Sequence, residues 1–575
     1  MRALLFLACG PALLAAPGLA QIATTTADFA QPGSQPGDLS VPILSINNCT
    51  FCHAGWDQEE EPYERWSGGM MANSMRDPVF QAAMTIANQD LEGTGALCLR
   101  CHTPGGWLSG HATPADGSAL NGTDYEGVSC HVCHRLVDPI PSPANPPEDA
   151  GILAALASAP TTSHGGQYVL DPEDRRRGPF DLVAFFFHDW RQSPYHRESL
   201  LCATCHEVSN PAFTRLGVPR ASQLPPPGFE DPQRERYFLG PLGAEHPTHD
   251  KTDEFPLERT FTEWSLSDFA DGPIEMGGRF GGNLTAVSTC QDCHMPDTDG
   301  TACQPFLGGA VRSDLPQHDF AGANSWVPRA IYSLDTSLLL YPETHVNGQP
   351  LDVFEAAIAR SKAMLRAASD LTLTQVGNDL VARITNQTGH KLPTGTGEGR
   401  RMWLNVRFFQ GETLLAERGH YDHAGAELTT ADTKVYELVH GLDALMAART
   451  GLPLGPSFHV ALVNTTLQDN RIPPRGFDNA AFAAGQAEPV GASYADGEFW
   501  DDTTFAIPAG ATHAVVRVFH QTTSREYIEF LRDANTTDGK GDIAYDEWVA
   551  AGMSKPVLMD KATIVFTPRH VLPKR

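Results

Sequence analysis

The apolar positions divide the chain into two stretches that read differently. Up to about residue 330 neither a helical nor an alternating period persists for long. Short apolar runs are cut by Asp138-Pro-Ile-Pro-Ser-Pro, Pro146-Pro147 and Gln223-Leu-Pro-Pro-Pro-Gly. These clusters mark loops, because proline and glycine interrupt regular structure. The firmest helix there opens at Asp77-Pro78, an N-cap followed by proline at the first helical position. Phe80, Met84 and Ala87 share one of its faces. Beyond 330 the pattern turns regular. Residues 353–368 predict an amphipathic helix with Phe354, Ile358 and Leu365 on one stripe. Leu371-Thr-Leu-Thr-Gln-Val, a turn at Gly377-Asn378-Asp379 and Leu380-Val-Ala-Arg-Ile-Thr predict a β-hairpin. Residues 402–409 and 512–520 predict further strands, and Thr523-Ser-Arg-Glu526 predicts a capping box for a late helix through Tyr527, Phe530 and Leu531. The expected fold class is α+β. A loop-rich, mainly short-helix domain spans 49–330, a connecting segment with a helix spans 331–370, and a β-sandwich-like domain with a late helix spans 371–575.

The first twenty residues read as a secretory signal. Arg2 is a short basic region, 3–16 is an apolar run broken by Pro11, and Gly18-Leu19-Ala20 supplies small residues before Gln21. Cys9 gives a lipoprotein attachment site as the alternative. Residues 21–48, rich in Gly, Pro, Ser and Thr, predict a flexible leader. No later segment reaches the length of a membrane span. The net charge of -28 argues against nucleic acid, whose phosphates would repel the chain. It suits basic partners or plain solubility.

The weak periodicity of the first stretch coincides with its chemistry. Five Cys-x-x-Cys-His pentapeptides lie in it: Cys49-Thr-Phe-Cys52-His53, Cys98-Leu-Arg-Cys101-His102, Cys130-His-Val-Cys133-His134, Cys202-Ala-Thr-Cys205-His206 and Cys290-Gln-Asp-Cys293-His294. At this composition roughly a hundredth of one such motif is expected by chance. The spacing suits covalent c-type haem: two thiols add to the two vinyl groups of one porphyrin, and the next imidazole lies under the iron. Zinc ribbons also use Cys-x-x-Cys pairs, but they give no reason for a histidine after every second cysteine. Five covalently attached haems would serve as a large part of the core where side-chain patterning is thin. Attachment of haem c occurs outside the cytoplasm, which agrees with the signal and places the protein in the periplasm or on the extracellular face. Cys303 is left over and reads as a buried thiol near the fifth haem.

The occupant of each iron's second axial position decides function. His or Met there makes a low-spin carrier, and an open position makes a site for substrate. His188 and His196 flank an aromatic stretch just before the fourth motif, and His318 follows the fifth. His131, inside the third motif, could point at a neighbouring iron. His111, His164, His246 and His249 complete the nearby set. A surface or core histidine is the alternative for each. No histidine lies between His53 and His102, so the local candidates for the first haem are Met70 and Met71, with Met71, after a Trp and a flexible Gly-Gly, preferred. Arg175-Arg176-Arg177 could meet haem propionates or form a solvated turn.

The motifs, with Asp77-Pro-Val-Phe, Cys98-Leu-Arg-Cys-His-Thr-Pro-Gly-Gly-Trp107, Gly127-Val-Ser-Cys130 and Glu258-Arg-Thr-Phe-Thr-Glu-Trp264, resemble exported multihaem cytochromes c over roughly residues 45–325. The group resembled includes the tetrahaem electron acceptor of hydroxylamine oxidoreductase. The resemblance implies a packed haem chain passing single electrons, mostly with bis-His ligation. Five motifs rather than four depart from the tetrahaem member. Gly389-His390-Lys-Leu-Pro-Thr-Gly and Asp469-Asn-Arg-Ile-Pro-Pro-Arg-Gly-Phe477 are similar to segments of larger multihaem cytochromes, and that likeness would bring His390 towards a haem. The expectation is therefore an electron carrier between a redox protein donor and acceptor. An oxidoreductase with one open haem acting on a small nitrogen or sulfur compound is the first alternative, with the first haem as the open site. A self-assembling conductive filament is the second.

Overall fold

The computed structural model describes residues 22–182, 187–215, 237–337 and 349–567. The signal reading of 1–20 lies outside them, as does the loop at Gln223. The architecture is mixed α+β, with short helices dominating the first half and antiparallel sheet the second.

Each cysteine motif folds as a short helical piece. They are α1 (Asn47–His53), α3 (Gly95–His102), α4 (Cys130–Cys133), α5 (Leu200–Ala203) and α6 (Cys290–His294), with the longer α2 (Pro78–Asp90) between the first two. A helical turn sets residues three apart on one side, which is how both thiols of a motif come to point the same way. Asp77 caps α2 as the sequence predicts, accepting from the Val79 and Phe80 N–H groups. The segment 22–46 corrects the expectation of a flexible leader. Thr25 and Asp28 form a capping box, Ile22 bridges to Leu91, and Ile22 and Phe29 pack with Leu91, Phe213 and Phe255. Its Gly, Pro and Ser content shapes a buried irregular run rather than a free one.

The second half opens with α7 (Leu351–Ala367) and runs through β1 (Ser369–Val376), β2 (Asp379–Asn386), β3 (Arg401–Gln410), β4 (Thr413–Arg418), β5 (Trp500–Ala506), β6 (His513–Gln521), α8 (Arg525–Ala534), α9 (Lys540–Ala550) and β7 (Val557–Val565). β1, β2 and β5 form one antiparallel sheet, and β4, β3, β6 and β7 form another, with Val435–Tyr436 added to β3. The predicted hairpin closes in register, Val376 opposite Asp379, around Gly377 at φ +64°. Leu380, Ala382 and Ile384 of β2 face Leu404, Val406, Ala514, Val516 and Val518 in a single core. Each such side chain contributes about 1.5–3 kcal/mol on burial. The N-cap of α8 is Ser524, one residue later than predicted, and no capping box forms because Tyr527 occupies the third helical position. Ala82 and Ile86 of α2 pack directly on Ile528, Leu531 and Trp548 of α8 and α9. The two halves therefore share apolar core as well as a boundary.

Candidate haem cavity

All ten motif cysteines and all five motif histidines line one continuous cavity of about 1970 Å³. That is roughly two to six times the volume of an ordinary small-molecule pocket. The cysteines are unpaired thiols. Burial pushes the Cys98 and Cys133 thiols up to about 12, so they stay protonated. Among the described residues no group of three or more His, Cys, Asp or Glu is arranged to hold a metal ion by itself. Neighbouring motifs touch through their sulfurs: Cys101 interacts with Cys205, and Cys202 with Cys290.

The histidines following the cysteines are held in one pattern. The Nδ1 atoms of His53, His102, His134 and His294 lie 2.6, 3.1, 2.7 and 2.7 Å from the carbonyl oxygens of Ala302, Ser74, Arg177 and Ala321. His206 differs, with the Glu258 carboxylate 3.6 Å from its Nδ1. An acceptor at Nδ1 fixes the tautomer and leaves Nε2 as the donor atom for iron. Burial lowers His102 and His134 to about 4, which keeps them neutral, the ligating form. For His206 burial also opposes the charge, but Glu258 outweighs it and the pKa is raised. These donors, the paired thiols and the large apolar space fit haem c at each motif.

The other imidazoles sort into two groups. His188, His196, His318, His390 and His520 line the cavity. The His390 ring lies 6.5 Å from that of His294, and His196 and His318 lie 6.0 and 6.3 Å from His134, centre to centre. Two imidazoles bound to one metal at about 2.0 Å on opposite sides have centres about 6 Å apart. His188 is close enough to His53 for their charges to interact. Buried Nδ1 atoms of His196 and His318 have no hydrogen-bond partner, and burial lowers both rings to about 3. His111, His131, His164, His246 and His249 are not in the cavity wall. The placement of His131 runs against its expected role. Its Nδ1 accepts from the Leu44 N–H at 2.6 Å and its Nε2 pairs with Asp174 at 2.9 Å, so no ring nitrogen is left for iron.

Two other expectations change, and a third stays open. Met71 lines the cavity, but its carbonyl accepts from the Val128 N–H and Ser74, three residues on, bonds to His102. Its neighbour Ala72 packs with Cys49 of the first motif and Cys130 of the third. Cys303 lies by the first motif, not the fifth: its charge reaches Cys52, and the Gln304 N–H donates to the Cys52 carbonyl. In the arginine run, Arg175 pairs with Asp171 and Arg177 with Asp149, and only Arg176 reaches the cavity wall. His520 escaped the sequence reading. It is far from any cysteine in sequence, and its signal is a polar residue at an inward position of a strand.

Residues 48–135, which hold the first three motifs, match the family described as cytochrome c554 and c-prime. This span is narrower than the 45–325 over which the motifs resemble multihaem cytochromes. No curated protein matches the chain. Among solved structures, the crystal structure of a penta-heme cytochrome c552 from Thermochromatium tepidum aligns over 92% of this chain and 100% of its own, at 16% identity and a TM-score of 0.48.

Proposed function

We propose that the chain is a pentahaem c-type cytochrome that carries single electrons between redox proteins outside the cytoplasm. The observation that carries this reading is the shared cavity. It gathers ten thiols and five imidazoles, each imidazole oriented by an acceptor at Nδ1. Haem c supplies a one-electron ferric/ferrous couple when bound. The thiols anchor it, and the motif histidines are the proximal ligands. His188, His196, His318 and His390, which the cavity wall carries, are distal ligands. Contacts between motifs through their cysteines bring successive sites close. Neutral, buried imidazoles on both sides favour low-spin irons and hence transfer without bond making at the metal. The alternative enzyme has its first haem open, and the nearness of His188 to His53 favours the carrier reading over it, as the facing pair His294–His390 does at the fifth motif.

The test is expression with haem c maturation, a pyridine haemochrome count and low-temperature EPR with and without cyanide and nitrite. Five haems per chain and ligand-indifferent low-spin signals support the carrier. A stoichiometry below five rejects the pentahaem reading. A high-spin signal that shifts with added ligand replaces the carrier with an enzyme.

A further inference from the structure

The five motif histidines differ in one respect that their pentapeptides do not show. The acceptor at Nδ1 is a peptide carbonyl for His53, His102, His134 and His294, at 2.6, 3.1, 2.7 and 2.7 Å. For His206 it is a carboxylate, with Glu258 Oε1 at 3.6 Å. A carbonyl is a neutral dipole, whereas an ionised carboxylate brings a full charge to the ring.

The exception is built into the backbone. From the fourth motif the chain runs directly into the strand Val208–Arg215, which pairs antiparallel with the strand Glu254–Glu258, and Val208 stands opposite Glu258. The Phe261 N–H donates to the His206 carbonyl at 3.2 Å. Main-chain bonds therefore fix residues 258–261 beside His206. The Thr260 hydroxyl donates to the same Oε1 at 3.1 Å and meets the Thr394 hydroxyl at 2.9 Å. Both Glu258 and His206 line the cavity. The Glu258 side chain is only 13% exposed and that of His206 51%, so the carboxylate is largely out of water while the ring opens onto the haem space. Arg400 is a nearby cation, held by the Thr394 carbonyl at 2.7 Å, and it offsets part of the charge.

We propose that Glu258 is a positioning residue that, acting through His206, holds down the reduction potential of the haem at the fourth motif. The proposal rests on the pentahaem reading above. Reduction adds one electron and takes one positive charge from the iron. A carboxylate at Nδ1 makes the imidazole a stronger donor, which favours the ferric state. Its negative charge, poorly screened out of water, favours the same state. The fourth motif touches the second through Cys205 and Cys101 and the fifth through Cys202 and Cys290. The lowered site thus lies between two others, and an electron crossing between them meets a step up in energy there.

The test uses the full holoprotein with Glu258→Gln and Glu258→Asp, scored by haemochrome count, spectroelectrochemical titration and low-temperature EPR. Glu258→Gln keeps the size and an acceptor but removes the charge. Partners at the far nitrogen of a ligating histidine are worth about 10–100-fold in metal affinity. The expected result is five haems retained and one midpoint raised by at least about tenfold in its ferric/ferrous ratio, about 59 mV for one electron. The EPR signal of that haem is expected to move with it. Glu258→Asp keeps the charge and is expected to raise the same midpoint by less. Adding Cys202→Ser and Cys205→Ser to Glu258→Gln assigns the haem: the raised couple should vanish, and its persistence would place it at another motif and overturn the proposal. All midpoints unchanged in Glu258→Gln, with or without a loss of stability, would also overturn it. A count below five in the unaltered protein overturns the pentahaem reading instead, and the fourth-motif shift is still read against the cysteine variants.

Discussion

Glu263→Ala is expected to loosen the junction between the two halves and release one haem ligand. Glu263 lies in the helix Thr260–Ser265 and is fully buried. Its carboxylate is 2.9 Å from the Arg471 guanidinium and accepts from the Lys391 N–H at 3.1 Å and the Thr394 hydroxyl at 2.7 Å. Lys391 and Arg471 also pair with Asp469, at 2.6 and 2.7 Å. Two carboxylates thus balance two cations out of water. Removing Glu263 leaves one cation in excess, and breaking a buried pair from one side costs about 3–5 kcal/mol. That is roughly two to four powers of ten in the folded-state equilibrium, at about 1.4 kcal/mol each. The loss falls on the turn that carries His390, since Lys391 and Thr394 closely follow it and His390 Nδ1 leans on the Lys391 carbonyl at 3.0 Å. Glu263→Gln keeps the shape and an acceptor, so it is expected to lose less. Guanidinium titration of the holoprotein, followed by the Soret band and far-ultraviolet circular dichroism, measures the stability. Low-temperature EPR measures the ligand. Glu263→Ala within about 1 kcal/mol of the parent, with all low-spin signals intact, would refute the reasoning.

Other outcomes follow from single sites. Asp77→Ala removes the cap of α2 and is expected to cost about 1 kcal/mol in the same titration, with Asp77→Asn costing much less. Burial pushes Glu254 up to about 8, above its unfolded value. The folded state therefore binds the extra proton, and stability falls as pH rises from about 4.3 to 8, by up to about 1.4 kcal/mol per unit. Thermal midpoints from pH 5 to 9 should fall less for Glu254→Gln than for the parent, and parallel curves would refute this. Cys290→Ser with Cys293→Ser is expected to lower the haemochrome count from five to four while the other motifs still load; an unchanged count would refute attachment there.

The second half was legible because its physics is local. Strand alternation in 380–385 and 514–518 reports the inward face directly, and the observed burial follows it residue by residue. The Asp77-Pro78 start of α2 was legible for the same reason, since a cap is chosen within three residues. The leader was not, because its Gly and Pro content describes backbone irregularity and says nothing of what packs on it. Ile22 and Phe29 are buried by partners almost two hundred residues away, Phe213 among them. The five attachment motifs were legible as chemistry without any structure. The further imidazoles of the cavity wall were legible near the cysteine motifs, as with His188, His196 and His318, and at His390 through the likeness of its segment to larger multihaem cytochromes.

His131 and His520 show that proximity in sequence to a motif does not decide which imidazoles the cavity wall carries. His131 sits between two attachment cysteines, yet the Leu44 N–H and Asp174 claim both its nitrogens and turn it out of the cavity. His520 is more than two hundred residues past the last motif, yet its ring is in the wall with both nitrogens unclaimed. A buried imidazole needs a partner, whether protein, water or metal. Where the protein supplies one, the residue is structural, however suggestive its position. Where a strand puts histidine into an apolar stripe and supplies none, as at His520, burial holds the ring neutral.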